Sequence, residues 1–206
     1  MILIREVIKM NYFKTLPKII FRGTQSSQLV TNLLARVNIV SSLITNPLLF
    51  YSYDIQEGDT PEIIAHKYYE DMERFWIVLL ANQLFDAQWD WPLSNLVFNQ
   101  YLNQKYSPEQ LTDINYYEKI ITTTDVNSRT TTTQNIIIDE DTYNNLAEST
   151  NTYKTITGDV VVKISRNAVD NFTYEYNLNE SKRNIKILNK TYADRIEVEF
   201  RKLMGT

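Results

Sequence analysis

The sequence predicts an α+β fold: a compact βααβ module, preceded by an N-terminal arm and followed by a mixed helix and hairpin region. Three observations predict it. Residues 50–55, Phe-Tyr-Ser-Tyr-Asp-Ile, are aromatic and alternate in polarity, as a half-buried strand does. Two apolar stretches at helical spacing follow, over 60–68 and 72–82. Further on, β-branched and Thr-rich runs at 114–122 and 135–138 bracket a polar turn, which reads as a hairpin. These divide the chain into an arm over 1–49, a module over 50–93 and a C-terminal region over 94–206. The last holds a helix, the β-hairpin and a terminal strand and helix.

Each element has a local reason. In the arm, Pro17, Gly23 and Asn46-Pro47 signal turns. Leu29, Leu33, Leu34, Val37 and Val40 fall near helical spacing, so a short helix is one expectation, and an extended run over 39–44 is the other. The arm is expected to pack on something else. In the module, Glu57-Gly58-Asp59 makes a turn. Thr60 caps the first helix, Pro61 takes its first position, and Glu62 complements its dipole. Ile64, Ala65 and Tyr68 form its apolar stripe. The second helix is apolar nearly all round from Phe75 to Leu80, so it is expected to be buried on most sides. A returning strand is expected over 84–93, ending at Pro92. Ser94 then caps a helix to about Lys105. Strands are expected at 160–164 and 184–188. A final helix, capped by Thr191, is expected to bury Tyr192, Ile196, Phe200 and Leu203.

Composition excludes several kinds of chemistry. The chain has no Cys, which removes disulfides, thiolate metal sites and Cys nucleophiles. Its one His, His66, is placed on the exposed side of the first module helix, away from Ile64 and Tyr68, where a nucleophile's base is not expected. The net charge of -4 lacks the footprint of a general nucleic-acid binder. Four Gly build no phosphate loop. The longest apolar run, residues 75–81, is well short of the ~20 residues that span a membrane, and residues 1–10 lack a signal peptide's unbroken apolar stretch. Asp54, Glu57 and Asp59 could be written as a glycosidase pair, but a turn acid, a solvated acid and a helix-start acid explain them more simply. Asp139-Glu140-Asp141 lacks the full loop pattern of a Ca²⁺ site and reads as a solvated turn. No metal, cofactor or catalytic residue is expected.

The motif that carries most information is Gly58-Asp59-Thr60, then Ile64-Ala65, then Tyr68, then Leu79-Leu80-Ala81-Asn82. It resembles a LysM domain, a strand, two helices and a returning strand in which a Gly-Asp-Thr turn opens the first helix and an Asn ends the second. In carbohydrate-binding members the glycan groove lies between the loops that flank the helices. That resemblance implies Gln56, Gly58, Asp59 and Thr60 from one loop and Gln83 and Asp86 from the other. Here Pro61-Glu62 replaces an apolar pair, and residues 85–92 replace a Pro-Gly link. The altered second loop weighs against a glycan ligand, and the strongly apolar second helix towards a module that docks on other protein.

A wider set of residues extends the likeness. Asn46-Pro47, Phe50-Tyr51, Phe75-Trp76, Asp90-Trp91-Pro92-Leu93-Ser94, Leu178-Asn179-Glu180, residues 185–188 and Glu199-Phe200 resemble the small LysM-containing wedge subunit of T-even-type, contractile-tailed phage baseplates, the gene product 53 family. The resemblance implies a structural, non-enzymatic virion protein of the tail baseplate, assembled in the host cytoplasm. Its expected partners are other wedge proteins, several copies in a ring around the hub, without nucleic acid or membrane. Residues expected to dock partners are Tyr51, Tyr53, Phe75, Trp76, Trp89, Trp91, Tyr192 and Phe200, since large aromatic side chains anchor interfaces. A peptidoglycan- or chitin-binding LysM module is the alternative reading.

Overall fold

The computed structural model describes residues 12–22, 26–39, 46–86, 89–156 and 158–205. It contains both helices and strands, as an α+β chain should. The chain divides into two compact units, Met1–Ser94 with Ser181–Thr206, and Asn95–Glu180. The terminal strand and helix therefore belong with the first unit, where the sequence had grouped them with residues 94–206.

In the first unit, α1 (Tyr12–Thr15) is followed by a hairpin of β1 (Lys18–Arg22) and β2 (Ser27–Thr31). Strand β3 (Phe50–Asp54) leads into α2 (Pro61–Tyr69), a 3-10 turn (Met72–Arg74) and α3 (Phe75–Ala81). The α2 start is as expected: Pro61 is its first residue, and the Thr60 hydroxyl accepts the Ile63 N–H at 3.3 Å. Ile64 and Ala65 are fully buried, but the next core residue is Tyr69 rather than Tyr68. The Tyr69 hydroxyl donates to the Leu188 carbonyl at 2.9 Å. Helix α3 is as buried as its composition predicts, with Trp76, Ile77, Val78 and Ala81 inside.

The strand expected over 84–93 does not form among the described residues there. The Asp90 carboxylate instead accepts the N–H groups of Phe85 and Asp86, which bends the chain into turns. The strand that pairs with β3 is β8 (Asn184–Leu188), antiparallel, with Phe50 opposite Leu188 and Asp54 opposite Asn184. Its alternation is that of a half-buried strand: Ile185 and Ile187 are inside, Asn184 and Lys186 outside. Asn82, at the end of α3, pairs with β8 through its carboxamide. It donates to the Lys186 carbonyl at 2.8 Å and accepts the Lys186 N–H at 2.7 Å.

The last helix, α7 (Lys190–Met204; α4 to α6 lie in the second unit), is capped by Asn189, whose side chain accepts the Thr191 N–H at 3.1 Å; Thr191 is not the cap. The helix buries Ala193, Glu197, Phe200 and Met204, half-buries Ile196, and leaves Tyr192 and Leu203 exposed. The buried Glu197 explains the rotation. It pairs with Arg74 at 2.9 Å and Arg201 at 2.7 Å, so the helix face turned inwards is the one that carries this acid. The helix expected from Leu29 onwards does not form among the described residues of 29–39: Ser27–Thr31 instead pairs with Lys18–Arg22, as the β-branched Val30 and Thr31 favour. Residues 40–44 of the alternative extended run lie outside the described residues.

The second unit opens with α4 (Asn95–Lys105). A four-stranded antiparallel sheet follows in the order β5-β4-β7-β6, formed by β4 (Ile114–Asp125), β5 (Thr130–Ile138), β6 (Ser149–Thr155) and β7 (Gly158–Asp170). Helix α5 (Glu140–Asn145) lies between β5 and β6, and α6 (Asn171–Glu180) ends the unit. The expected hairpin is therefore present and longer than expected. Its turn is tied by the Asp125 carboxylate, which accepts the N–H groups of Asn127 and Ser128. Asp139, read as part of a solvated acidic turn, caps α5 by accepting the Thr142 N–H at 2.8 Å.

Candidate functional site

The turn between β3 and α2 is held from several directions. Gly58 adopts φ +84°, which glycine reaches without a Cβ penalty. Next to it the Asp59 carboxylate, buried, accepts from the Tyr53 hydroxyl at 2.5 Å, the Gln56 N–H at 3.1 Å and the Lys67 ammonium at 2.6 Å. Its carbonyl accepts the Trp91 indole N–H at 3.0 Å. Burial pushes the Asp59 carboxyl up, but the hydrogen bonds from Lys67, Tyr53 and Gln56 outweigh it and leave the group below the ordinary carboxylate range. Tyr53 is raised, by burial and by the same acid. A carboxylate so saturated with donors is a structural knot and holds no proton to give. Arg183 adds a second tie, donating to the Ile55 carbonyl at 3.3 Å and lying 3.6 Å from Glu57.

The six residues of the expected glycan groove are not brought together. Gln56, Gly58, Asp59 and Thr60 line one open cleft of about 310 Å³, together with Trp91, Pro92 and Arg183. Gln83 lines a different cleft of about 160 Å³ beside Tyr12, Val37, Phe75 and Leu80. Asp86 lines neither and serves its own turn, accepting the Trp89 N–H at 3.3 Å. Among the described residues, no group of three or more His, Cys, Asp or Glu is placed to hold a metal ion, and no helix is long and apolar enough to cross a membrane.

The eight aromatic docking candidates separate into three sets. Trp76, Trp91 and Phe200 are core residues. Trp76 and Phe200 pack with centroids 4.8 Å apart, and Tyr12 stacks on both. Side-chain type alone had marked them as anchors, but the core of this unit had prior use for them. Tyr53 and Phe75 are half-buried, Tyr53 against Tyr68 and Phe75 against the same core. Tyr51, Trp89 and Tyr192 present accessible rings. Tyr51 accepts a hydrogen bond from Asn189, Trp89 is 58% exposed, and Tyr192 lies under Arg195.

The larger accessible apolar surface is one the sequence reading missed. The β1–β2 hairpin exposes Ile19, Ile20, Phe21 and Leu29, and the following turn exposes Leu33 and Leu34. Ile20 stands opposite Leu29 on one face, while Ile19 and Phe21 point to the other. The signal was present, since Lys-Ile-Ile-Phe-Arg is a β-prone run bounded by Pro17 and Gly23. A two-stranded ribbon with apolar side chains on both faces cannot bury them by itself.

Comparison with known proteins gives the family. The model of base plate wedge protein 53 of phages matches residues 26–203, and the chain belongs to that family. No curated protein matches it. Membership makes the chain a structural protein of the phage tail baseplate, which interacts with other baseplate proteins.

Proposed function

We propose that this chain is an assembly subunit that joins neighbouring wedge proteins as the baseplate closes around its hub, with the arm hairpin as the principal grip. The observation that carries this reading is the exposure of apolar side chains on both faces of β1–β2. Each such side chain is worth ~1.5–3 kcal/mol when fully buried, so a partner that covers the ribbon gains affinity. Tyr51, Trp89 and Tyr192 are secondary contacts. Repetition around a ring of copies adds effective concentration. No catalytic role is part of this reading.

We further read β3, α2, α3 and β8 as a LysM-like βααβ module of the kind found in contractile, T-even-type tails. In this chain its last strand arrives only after residues 95–180, so the second unit is an insertion between the second helix and the closing strand. The loop residues of a glycan groove are parted between two clefts, which favours a scaffold that positions the arm.

Co-expression with the neighbouring wedge proteins, assembled in the host cytoplasm, tests the grip. The intact chain should co-purify with at least one of them. The double variant Ile20→Ser/Leu29→Ser should lose about 100-fold or more in affinity, from two apolar side chains of that worth. Unchanged binding by the double variant would remove the hairpin from the interface.

A further inference from the structure

The charge of the chain is not evenly spread. Between Val7 and Tyr53 there are five cations, Lys9, Lys14, Lys18, Arg22 and Arg36, and no Asp or Glu. That stretch is +5 in a protein of net charge -4. Lys14, Lys18, Arg22 and Arg36 are all exposed. Alternation along β1 sets Lys18, Ile20 and Arg22 on one face, and the register adds Thr31, Leu29 and Ser27 from β2. This face therefore has an apolar centre, Ile20 opposite Leu29, each about two-thirds exposed, with a cation at each end. At ~3.3 Å per residue the two cations stand roughly 13 Å apart along the strand.

We propose that this face docks on an apolar protein surface flanked by carboxylates, an acidic partner within the baseplate. The inference rests on the docking role of the arm and adds the chemistry of what it grips. Opposite charges at the rim set the register and speed the encounter, while the aliphatic pair supplies the buried contact. Nucleic acid would also attract the cations. However, single-strand binders present aromatic platforms to the bases, whereas here the centre between the cations is aliphatic, and duplex binding rests on phosphate contacts that leave an exposed aliphatic pair unused.

The test uses the full chain, with each neighbouring wedge protein purified in turn as the probe. Affinity is measured at about 50 and about 300 mM NaCl, a range over which exposed charges become screened. Three variants are compared with the parent: Lys18→Glu/Arg22→Glu, the conservative Lys18→Arg/Arg22→Lys, and Ile20→Ser/Leu29→Ser. Trp fluorescence of the first unit verifies folding. One wedge protein should bind the parent about tenfold more weakly at the higher salt. The charge-reversed variant should lose about tenfold at low salt and most of its salt dependence, and the conservative variant should bind as the parent does. If the serine variant fails to bind while charge reversal and salt have no effect, the acidic partner is excluded and the docking role stands. If neither pair of substitutions matters, or no wedge protein binds, both fall. Tighter binding to a duplex DNA probe, or salt-sensitive self-association that needs Lys18 and Arg22, would also overturn the proposal.

Discussion

In the first unit, Ile64, Ile77, Val78 and Ile187 are wholly removed from solvent, and a continuous apolar cluster runs from Leu16 to Met204 around them. In the second unit, the buried apolar side chains among the described residues are Phe98, Leu102 and Val169. What replaces a core there is a long antiparallel ladder and two buried acids. Glu118 accepts from Asn135 at 2.9 Å and Asn167 at 3.0 Å across the sheet. Glu175 accepts from Lys105, Tyr101 and Tyr106. The same chain therefore uses water exclusion in one unit and directional polar pairing in the other. The first mechanism is sensitive to volume and the second to charge, and that difference can be broken experimentally.

The largest expected effect is on the apolar side. Ile77→Ala should cost about 4 kcal/mol, from lost burial and the cavity left behind. The same substitution at Ile137, mostly exposed on edge strand β5, should cost less than about 0.5 kcal/mol. Urea unfolding followed by tryptophan emission and far-UV circular dichroism measures both, and equal costs would erase the contrast. All three Trp lie in the first unit, so emission reports on that unit alone.

The next effect belongs to the second unit. Burial pushes the Glu175 carboxyl up, but hydrogen bonds from Lys105 and Tyr106 and the nearby ammonium bring it below the ordinary range, while Lys105 is raised, chiefly by its bond to Glu175. A depressed acid contributes stability that is fully present above the ordinary Glu pKa of about 4.3 and is lost as pH falls through its lower folded value. Glu175→Gln should cost about 2 kcal/mol at neutral pH and flatten the acid limb of the circular dichroism stability profile. An unchanged acid limb would mean that this cluster does not hold the unit. The smallest effect is at Trp89→Ala, expected below about 0.5 kcal/mol because the ring is largely in solvent. Thermal melting that shows a larger loss would make Trp89 part of the core.

Local signals are legible in the sequence. The Thr60 and Pro61 helix start, the burial of residues 76–78, the turn at 125–129 and the strand at 184–188 each rest on a few adjacent side chains whose preferences agree. The Asp59 cluster was only half legible. Its place at a helix start was visible, but Lys67, Tyr53 and Trp91 meet it only after three segments of chain have come together. The aromatic residues were marked by kind, and kind does not say which ring a core will claim. Trp89 and Trp91 would share a side of a strand, but in the turns that form instead, one is exposed and the other buried.

The sequence by itself determined that the chain mixes helix and strand, where most elements start and stop, and, through the resemblance of its motifs, the family. These follow from side-chain preferences and spacing within a turn or a few residues. Only the tertiary structure decided that β8 closes against β3, that residues 95–180 fold as a unit of their own between them, and that β1 and β2 form a ribbon with apolar side chains exposed on both faces. Such pairings join segments over a hundred residues apart, and the competition among several β-prone strands is resolved by which one also completes the apolar core. Asn184–Leu188 does so, placing Ile185 and Ile187 against α3. Residues 84–93, turned back by Asp90, do not.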